Sequence, residues 1–321
     1  MRKFYFLISI FLLTNPCFGF LPSKLLIDEK RIEIFEKNIL RYSEEANLKS
    51  HFLLAQDSKK LLISDENFEV NLGKSSAAII AFLAKIMEEK NSKNFLNKKA
   101  FELSHLFKIK ESDVLLVDLL SSTANIAQNI DALLPKDADY EDLFDMIFQL
   151  SKSATSASDF AYSKASVSAG AYLLAYSEFK NENNLYNSYG LLIQKYLDFL
   201  PSLKLKEIES EKKVLLPASN ITLSLKDIFT WLDKEFSFIR TDDIAYKRVV
   251  KNGWVSTKLG NSFLIMAGDS FGGQTTLFVM IPSHKVVFAI VVESDSKEAS
   301  ALTKKLLENL TFMLEELKLS N

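Results

Sequence analysis

Residues 68–89 read Phe-Glu-Val-Asn-Leu-Gly-Lys-Ser-Ser-Ala-Ala-Ile-Ile-Ala-Phe-Leu-Ala-Lys-Ile-Met-Glu-Glu. From Ala77 to Ala84 no polar residue interrupts the apolar run. A surface helix keeps one polar face, so an Ala-rich segment that is apolar all round predicts a helix buried on every side. Such a helix sits between a sheet and a second layer.

Working outward, the chain before it holds His51 to Ile63, read as two short strands around the polar patch Asp57-Ser58-Lys59-Lys60. Earlier still, Ile27 to Asn47 is charged, with Ile32, Ile34, Phe35, Ile39 and Leu40 at helical spacing. Beyond the buried helix, Asn91 to Ala245 is mostly helical in pattern. Loops are expected at Leu134-Pro135-Lys136, at Ser151 to Ser158, and at the charge-dense Lys204 to Lys213, read as solvated.

The end of the chain changes character. Phe263 to Ala267, Gln274 to Ile281 and Val286 to Val292 are rich in β-branched and aromatic residues, with Gly272-Gly273 and Pro282-Ser283-His284 between them. Three successive antiparallel strands follow from that pattern. Leu302, Leu306, Leu310, Met313 and Leu317 then give a closing amphipathic helix. The economical architecture is α+β: an antiparallel sheet from both chain ends flanked by helices, with an inserted, mainly helical lobe. The α/β lobe is expected over about 25–90 and 246–321 and the helical lobe over about 91–245.

The 321 residues are 48% hydrophobic, enough for a sizeable core. A net charge of −2 offers no basic excess, so a nucleic-acid partner is not expected. Arg2 and Lys3 precede an apolar run from Phe4 to Leu13 broken only by Ser9, and Cys17-Phe18-Gly19 puts small residues at both ends of a triplet. This reads as a signal peptide over residues 1–19, leaving a domain over 20–321. The run is half of what a spanning helix needs, and Asn15-Pro16 is a poor lipobox, so no anchor is expected after cleavage. The product would be periplasmic or secreted. With Cys17 removed it would hold no cysteine, which excludes disulfides and thiol catalysis together.

Motifs for other chemistries are scarce. His51, His105 and His284 show no metal-ligand spacing, and neither a P-loop nor GxGxxG occurs, so no metal or cofactor is expected. His284 is read as a solvated residue of a hairpin turn. Gly268-Asp269-Ser270-Phe271-Gly272 matches GxSxG, the nucleophile-elbow pattern. The elbow needs a strand before Ser270 and a helix after it. Here a strand pattern follows, and His284 precedes Asp295 where that fold places its acid first. A Gly-rich turn between two strands is the simpler reading.

From about residue 50 onward the chain resembles the β-lactamase and penicillin-binding-protein-like serine hydrolases, related to the class C β-lactamases. Phe68 to Lys74 resembles the family's aromatic-x-apolar-x-Ser-x-x-Lys run, one residue shorter. Asp113 to Thr123 is similar to its LLSHTSG segment, Phe160-Ala161-Tyr162-Ser163-Lys164 to its F-x-YSN, and Ala171 to Leu174 to its Y-x-LLG. Ser224-Leu225-Lys226-Asp227 resembles its S-x-x-D helix start. Met266-Ala267-Gly268, Gly272-Gly273-Gln274 and Phe278 to Val292 resemble its closing strands.

The resemblance implies a motif serine that forms an acyl-enzyme, a lysine one turn later that takes its proton, and a tyrosine that relays protons. Lys74 stands at the lysine position and Tyr162 at the tyrosine position, while Asn71 takes the serine position if the gap precedes the motif. Without the gap, Leu72 and Ser75 take the serine and lysine places. Neither alignment supplies a nucleophile. Ser75 and Ser76 are read as pointing to other faces than Lys74. Lys164 replaces the family's asparagine, and Met266 replaces its basic residue while Gly268 survives. The literal SxxK pairs Ser177/Lys180, Ser210/Lys213 and Ser294/Lys297 lie in polar stretches and read as accidents.

The expectation is an exported pseudo-hydrolase that binds a small molecule, peptide or cell-envelope component. Lys164, Met266, Gly268, Gly272, Gly273 and Gln274 would line the cleft, and Lys74 with Lys164 would suit an anion. The alternatives are an active hydrolase using Ser270 or a displaced serine near Lys74, and a structural envelope module.

Overall fold

The computed structural model describes residues 26–91, 94–104, 114–122, 130–153, 162–181, 183–207, 212–239, 249–251, 253–259 and 262–319. The proposed signal peptide, His105 and Ser210 lie outside the described residues.

The two strands read around residue 57 are β1 (Ser50–Gln56) and β2 (Lys59–Ile63). Asp57 and Ser58 carry φ of 51° and 62°, the left-handed pair that a two-residue hairpin turn requires. The turn is therefore only two residues long, and Lys59 and Lys60 belong to the strand. β1 pairs antiparallel with the last strand, β10 (Val286–Val292), from Ser50 opposite Val292 to Gln56 opposite Val286. That pairing closes the sheet from both chain ends, as the pattern predicted.

Among the described residues the sheet has seven antiparallel strands in the order β2-β1-β10-β9-β8-β7-β6, with β6 Val249–Lys251, β7 Trp254–Leu259, β8 Ser262–Phe271 and β9 Gln274–Ile281. The strands β6 and β7 extend it beyond the three that the sequence pattern picked out.

Successive side chains of a strand face opposite ways, and in β10 both faces are covered. Val286, Phe288, Ile290 and Val292 pack with Phe35 and Ile39 of α1 (Glu29–Glu45) and Leu306 and Leu310 of the closing helix α10 (Lys297–Leu319). Val287, Ala289 and Val291 face the larger core on the other side. A strand with no solvent face needs a continuous apolar run, which is what 286–292 supplies.

The larger core is organised by α2 (Ser76–Asn91), in which Ala77 to Ala84 are at most 2% exposed. One side of α2 meets the sheet at Gly253, just before β7, and α9 (Leu225–Ser237) packs on the sheet beside it, its Trp231 5.5 Å from Trp254 and 5.8 Å from Phe278. On its other side α2 meets a helical layer: α3 (Ala100–Leu103), α4 (Leu116–Leu120), α5 (Ile130–Leu133), α6 (Tyr140–Ser153), α7 (Lys164–Phe179) and α8 (Leu185–Tyr196). Ala165 to Ala175 of α7 are all buried. Its free N–H groups are met by the Ser163 hydroxyl and by the Asp131 carboxylate, which accepts from Lys164 and Ala165.

A small second sheet of order β3-β5-β4 joins β3 (Glu69–Asn71), β4 (Lys204–Leu205) and β5 (Ile221–Ser224). It takes Lys204 and Leu205 out of the stretch read as a solvated loop, of which Lys206 and Glu207 are exposed and 208–211 lie outside the described residues. The stretch opens with β4, and a buried 3₁₀ turn follows at Lys213–Ala218. Charge density hid it because Lys204 and Lys206 reach back to Glu69 of β3 instead of into water alone.

Candidate functional site

The chain leaves β3 at Leu72, whose N–H donates to the Ile221 carbonyl at 3.0 Å. Gly73 then takes φ +50°, and a 3₁₀ turn over Gly73–Ser75 runs into α2. The glycine is required by its neighbour: a Cβ there would lie 2.4 Å from Asp269 Oδ2 of β8. In that space the Asp269 carboxylate accepts the Lys74 backbone N–H at 2.9 Å, and the Lys74 Nζ stands 3.4 Å from its other oxygen. Only 9% of the Asp269 side chain is exposed. The Lys74 ammonium also lies 5.6 Å above the Tyr162 ring, and the Tyr162 hydroxyl donates to the Ala218 carbonyl at 2.9 Å.

These residues border a cleft of about 510 Å³ between the start of α2, the end of α4, β7 and β8, and the first turns of α10. Its walls are Ala77, Leu120, Val255, Met266 and Leu277 on the apolar side. Hydroxyls come from Ser75, Ser121, Ser122, Ser270, Thr276 and Ser300. Among the described residues that line it, only Lys74 and Asp269 are charged.

The structure brings together Lys74, Tyr162, Met266 and Gly268, all of which line the cleft. It places the other candidates elsewhere. Asn71 is paired with Thr222 in β3, and its amide packs over Gly272, where a Cβ would meet Nδ2 at 2.6 Å. Leu72 is fully buried in the core. Gln274 is a brace: its Oε1 accepts the Asn71 N–H at 2.9 Å and its Nε2 donates to the Glu69 carbonyl at 3.1 Å. Gly272 and Gly273 form the two-residue β8–β9 turn with φ of 61° and 75°. Lys164 opens α7 with its ammonium 5.4 Å from the Phe271 ring centroid.

Ser75 requires a correction. It lines the same cleft as Lys74, at the end of the 3₁₀ turn that runs into α2. Its Oγ is buried and has no hydrogen-bond partner among the described residues, as is also true of Ser76, which does not line the cleft.

Ser270 lies within β8, its Oγ 3.0 Å from Thr275 Oγ1 and 3.3 Å from Ser300 Oγ. The strand runs on to Phe271 and turns back as β9, so the strand-to-helix elbow is not formed. His284 follows the far end of β9, about 20 Å away at strand rise. It is buried at 2% exposure, not solvated, with its Nδ1 2.9 Å from Ser283 Oγ and its carbonyl accepting from Gln56 Nε2. His51 is also buried, stacked on Phe68 and bonded through Nε2 to Glu293 at 2.7 Å. The Lys49 ammonium and His51 hold the Glu293 carboxyl below its ordinary range. Among the described residues no three acidic, His or Cys side chains are grouped to hold a metal.

Sequence reasoning missed Asp269. Its signal was present, since it directly follows the Gly268 that the resemblance retained, but the GxSxG pattern drew the reading to Ser270 one residue on.

No family model matches the chain, and no curated protein matches its sequence. Solved structures do. The D-amino acid amidase from Ochrobactrum anthropi SV3 superposes with a TM-score of 0.65 at 10% identity, over 89% of this chain and 99% of that one. The class C β-lactamase from Rhodobacter sphaeroides gives 0.62 at 13%, over 89% and 99%. The octameric penicillin-binding protein homologue from Pyrococcus abyssi gives 0.61 at 14%, over 87% and 77%. The chain therefore has the fold of the β-lactamase and penicillin-binding-protein-like serine hydrolases.

Proposed function

We propose that this chain, built on a β-lactamase-type fold, is an exported pseudo-hydrolase whose cleft binds a small molecule, peptide or cell-envelope component without turning it over. The observation that carries the reading is the start of α2. Acyl transfer needs an oxygen nucleophile beside a free base. The two positions that could supply the serine hold Asn71, turned onto Gly272, and the buried Leu72. The Lys74 Nζ is engaged with the Asp269 carboxylate instead of with a serine hydroxyl. Tyr162 spends its hydroxyl proton on the Ala218 carbonyl.

The structural neighbours, an amidase and a β-lactamase by name, suggest amide and β-lactam hydrolysis as the reactions to test. Incubation with a fluorophosphonate and with a labelled penicillin, followed by intact mass, is expected to leave the mass unchanged. A stable adduct mapped to one serine would defeat the silent reading.

One observation favours a second reading, an active hydrolase with a displaced nucleophile: Ser75 lines the cleft, and its buried hydroxyl has no partner among the described residues. An adduct lost in Ser75→Ala and kept in Ser270→Ala would establish it.

Export rests on the layout of the first 19 residues. No helix among the described residues is long and apolar enough to cross a membrane. N-terminal sequencing of periplasmic or secreted protein should begin at Phe20; retention of Met1 to Gly19 would contradict export.

A further inference from the structure

The contacts around Asp269 have the form of a bound carboxylate and its receptor. One oxygen accepts the Lys74 N–H at the start of a helix, where free N–H groups and the helix dipole favour an anion, and the Lys74 ammonium lies at the other oxygen. Gly73 leaves the room that a side chain would take, and only 9% of the Asp269 side chain is exposed. Beside this position Ser75 lines the same cleft, its Oγ enclosed and without a hydrogen-bond partner among the described residues. The hydroxyl is a donor that Asp269 leaves unused.

We infer that the cleft contains an anion-binding position that Asp269 fills from within. Asp269 is then the specificity-determining residue: it sets the cleft against carboxylate ligands and in favour of neutral ones. The charges support this. Among the described residues that line the cleft, Lys74 and Asp269 are the charged ones, and with Asp269 in place these two charges cancel. An incoming carboxylate would have to displace a tethered one, which loses less freedom on binding than any free competitor. The inference rests on the reading of the cleft as a ligand site. It runs opposite to the expectation that Lys74 and Lys164 suit the cleft to an anion.

The test uses the mature chain with benzoate and its neutral isostere benzamide, titrated by ligand-observed NMR. The apolar wall of Ala77, Leu120 and Met266 would take the ring of either probe. The wild-type chain is expected to prefer benzamide. Asp269→Ala is expected to tighten benzoate by about tenfold or more while leaving benzamide within about twofold. Adding Lys74→Met to Asp269→Ala should abolish the gain. If Asp269→Ala is folded by circular dichroism and benzoate binding does not improve, the inference is wrong. A gain that survives Lys74→Met overturns it as well. Should Asp269→Ala fail to fold, Asp269→Asn keeps an acceptor for the Lys74 N–H and removes the charge. It must then show a smaller gain of the same sign, and no gain there is equally fatal. A serine adduct in the mass experiment would overturn the silent reading without touching this result, so the two fail separately.

Discussion

Glu235 on α9 and Lys85 on α2 form an ion pair away from the cleft, with the Glu235 side chain only 2% exposed. Burial pushes the Glu235 carboxyl above its ordinary value near 4.5, and the Lys85 ammonium opposes the rise. Removing the lysine leaves burial unopposed. Lys85→Met is expected to cost about 3–5 kcal/mol at neutral pH, the range for breaking a buried pair by deleting one partner. The sign of the pH effect follows from the raised carboxyl. The folded state keeps a proton that the unfolded chain releases, so stability is present below about 4.5 and falls as pH rises through the folded value. The deficit of Lys85→Met relative to the wild type should therefore be smaller at pH 4 than at pH 7 in urea unfolding, and Glu235→Gln added to it should recover most of the loss. Equal deficits at the two pH values would mean that Glu235 is not the group responsible. At this scale the sequence was readable where a residue sits in a recognisable motif. Lys74 and Tyr162 were found only because the segments around them, Phe68 to Lys74 and Phe160 to Lys164, resemble family motifs. Asp269 and the cleft-lining Ser75 were not, because their roles depend on a 3₁₀ turn and on a strand nearly 200 residues away, neither of which leaves a local pattern.

Elements were legible in proportion to their length and burial. The run 77–84 and the strands 274–281 and 286–292 announce themselves because burial on all sides demands unbroken apolar sequence. The S-x-x-D start of α9 was also recoverable: the Ser224 hydroxyl accepts the Asp227 N–H, and Asp227 in turn holds the Ser202 N–H and hydroxyl. The elements β3, β4 and β5, two to four residues each, are too short for a period to register. Strand β7 was passed over for a different reason. Its sequence Trp-Val-Ser-Thr-Lys-Leu suits a strand, but what fixes it in place is Gly253 immediately before it. Gly253 has φ +76°, and a Cβ there would lie 2.5 Å from the Ala78 nitrogen and 2.7 Å from the Ala77 carbonyl carbon. These are backbone atoms of a buried helix and cannot move aside. Gly253→Ala is accordingly expected to cost at least about 1–3 kcal/mol for the left-handed conformation alone, with the clash added. Thermal unfolding measures the loss, and a variant within error of the wild type would show that β7 does not approach α2 this closely.

For the whole molecule, the question is whether sheet and helical layer behave as two bodies, as the sequence pattern of an inserted lobe invites one to expect. The packing argues for one. Leu53, Phe278, Ala289 and Val291 of the sheet, Ala77 to Ala84 of α2, and Leu173, Leu174, Tyr189 and Leu192 of the helical layer belong to a single buried cluster. The helix α2 has no face that either layer could surrender without exposing apolar surface, at about 25 cal/mol for each Å². Loss of the helical layer would strip one side of α2, and loss of the sheet would strip the side that meets Gly253. Neither half leaves the other with a covered core, so partial unfolding gains chain entropy for only part of the molecule while forfeiting burial in both. Unfolding should then be one cooperative transition. The protein's two tryptophans, Trp231 and Trp254, pack together at the sheet side, so their fluorescence reports that interface, whereas far-UV circular dichroism is dominated by the helices. Coincident denaturant midpoints from the two probes, with a calorimetric enthalpy equal to the van't Hoff value, are the expected result. A fluorescence midpoint separated from the circular-dichroism midpoint would show instead that the inserted helices form a unit of their own, and that α2 belongs energetically to one layer only.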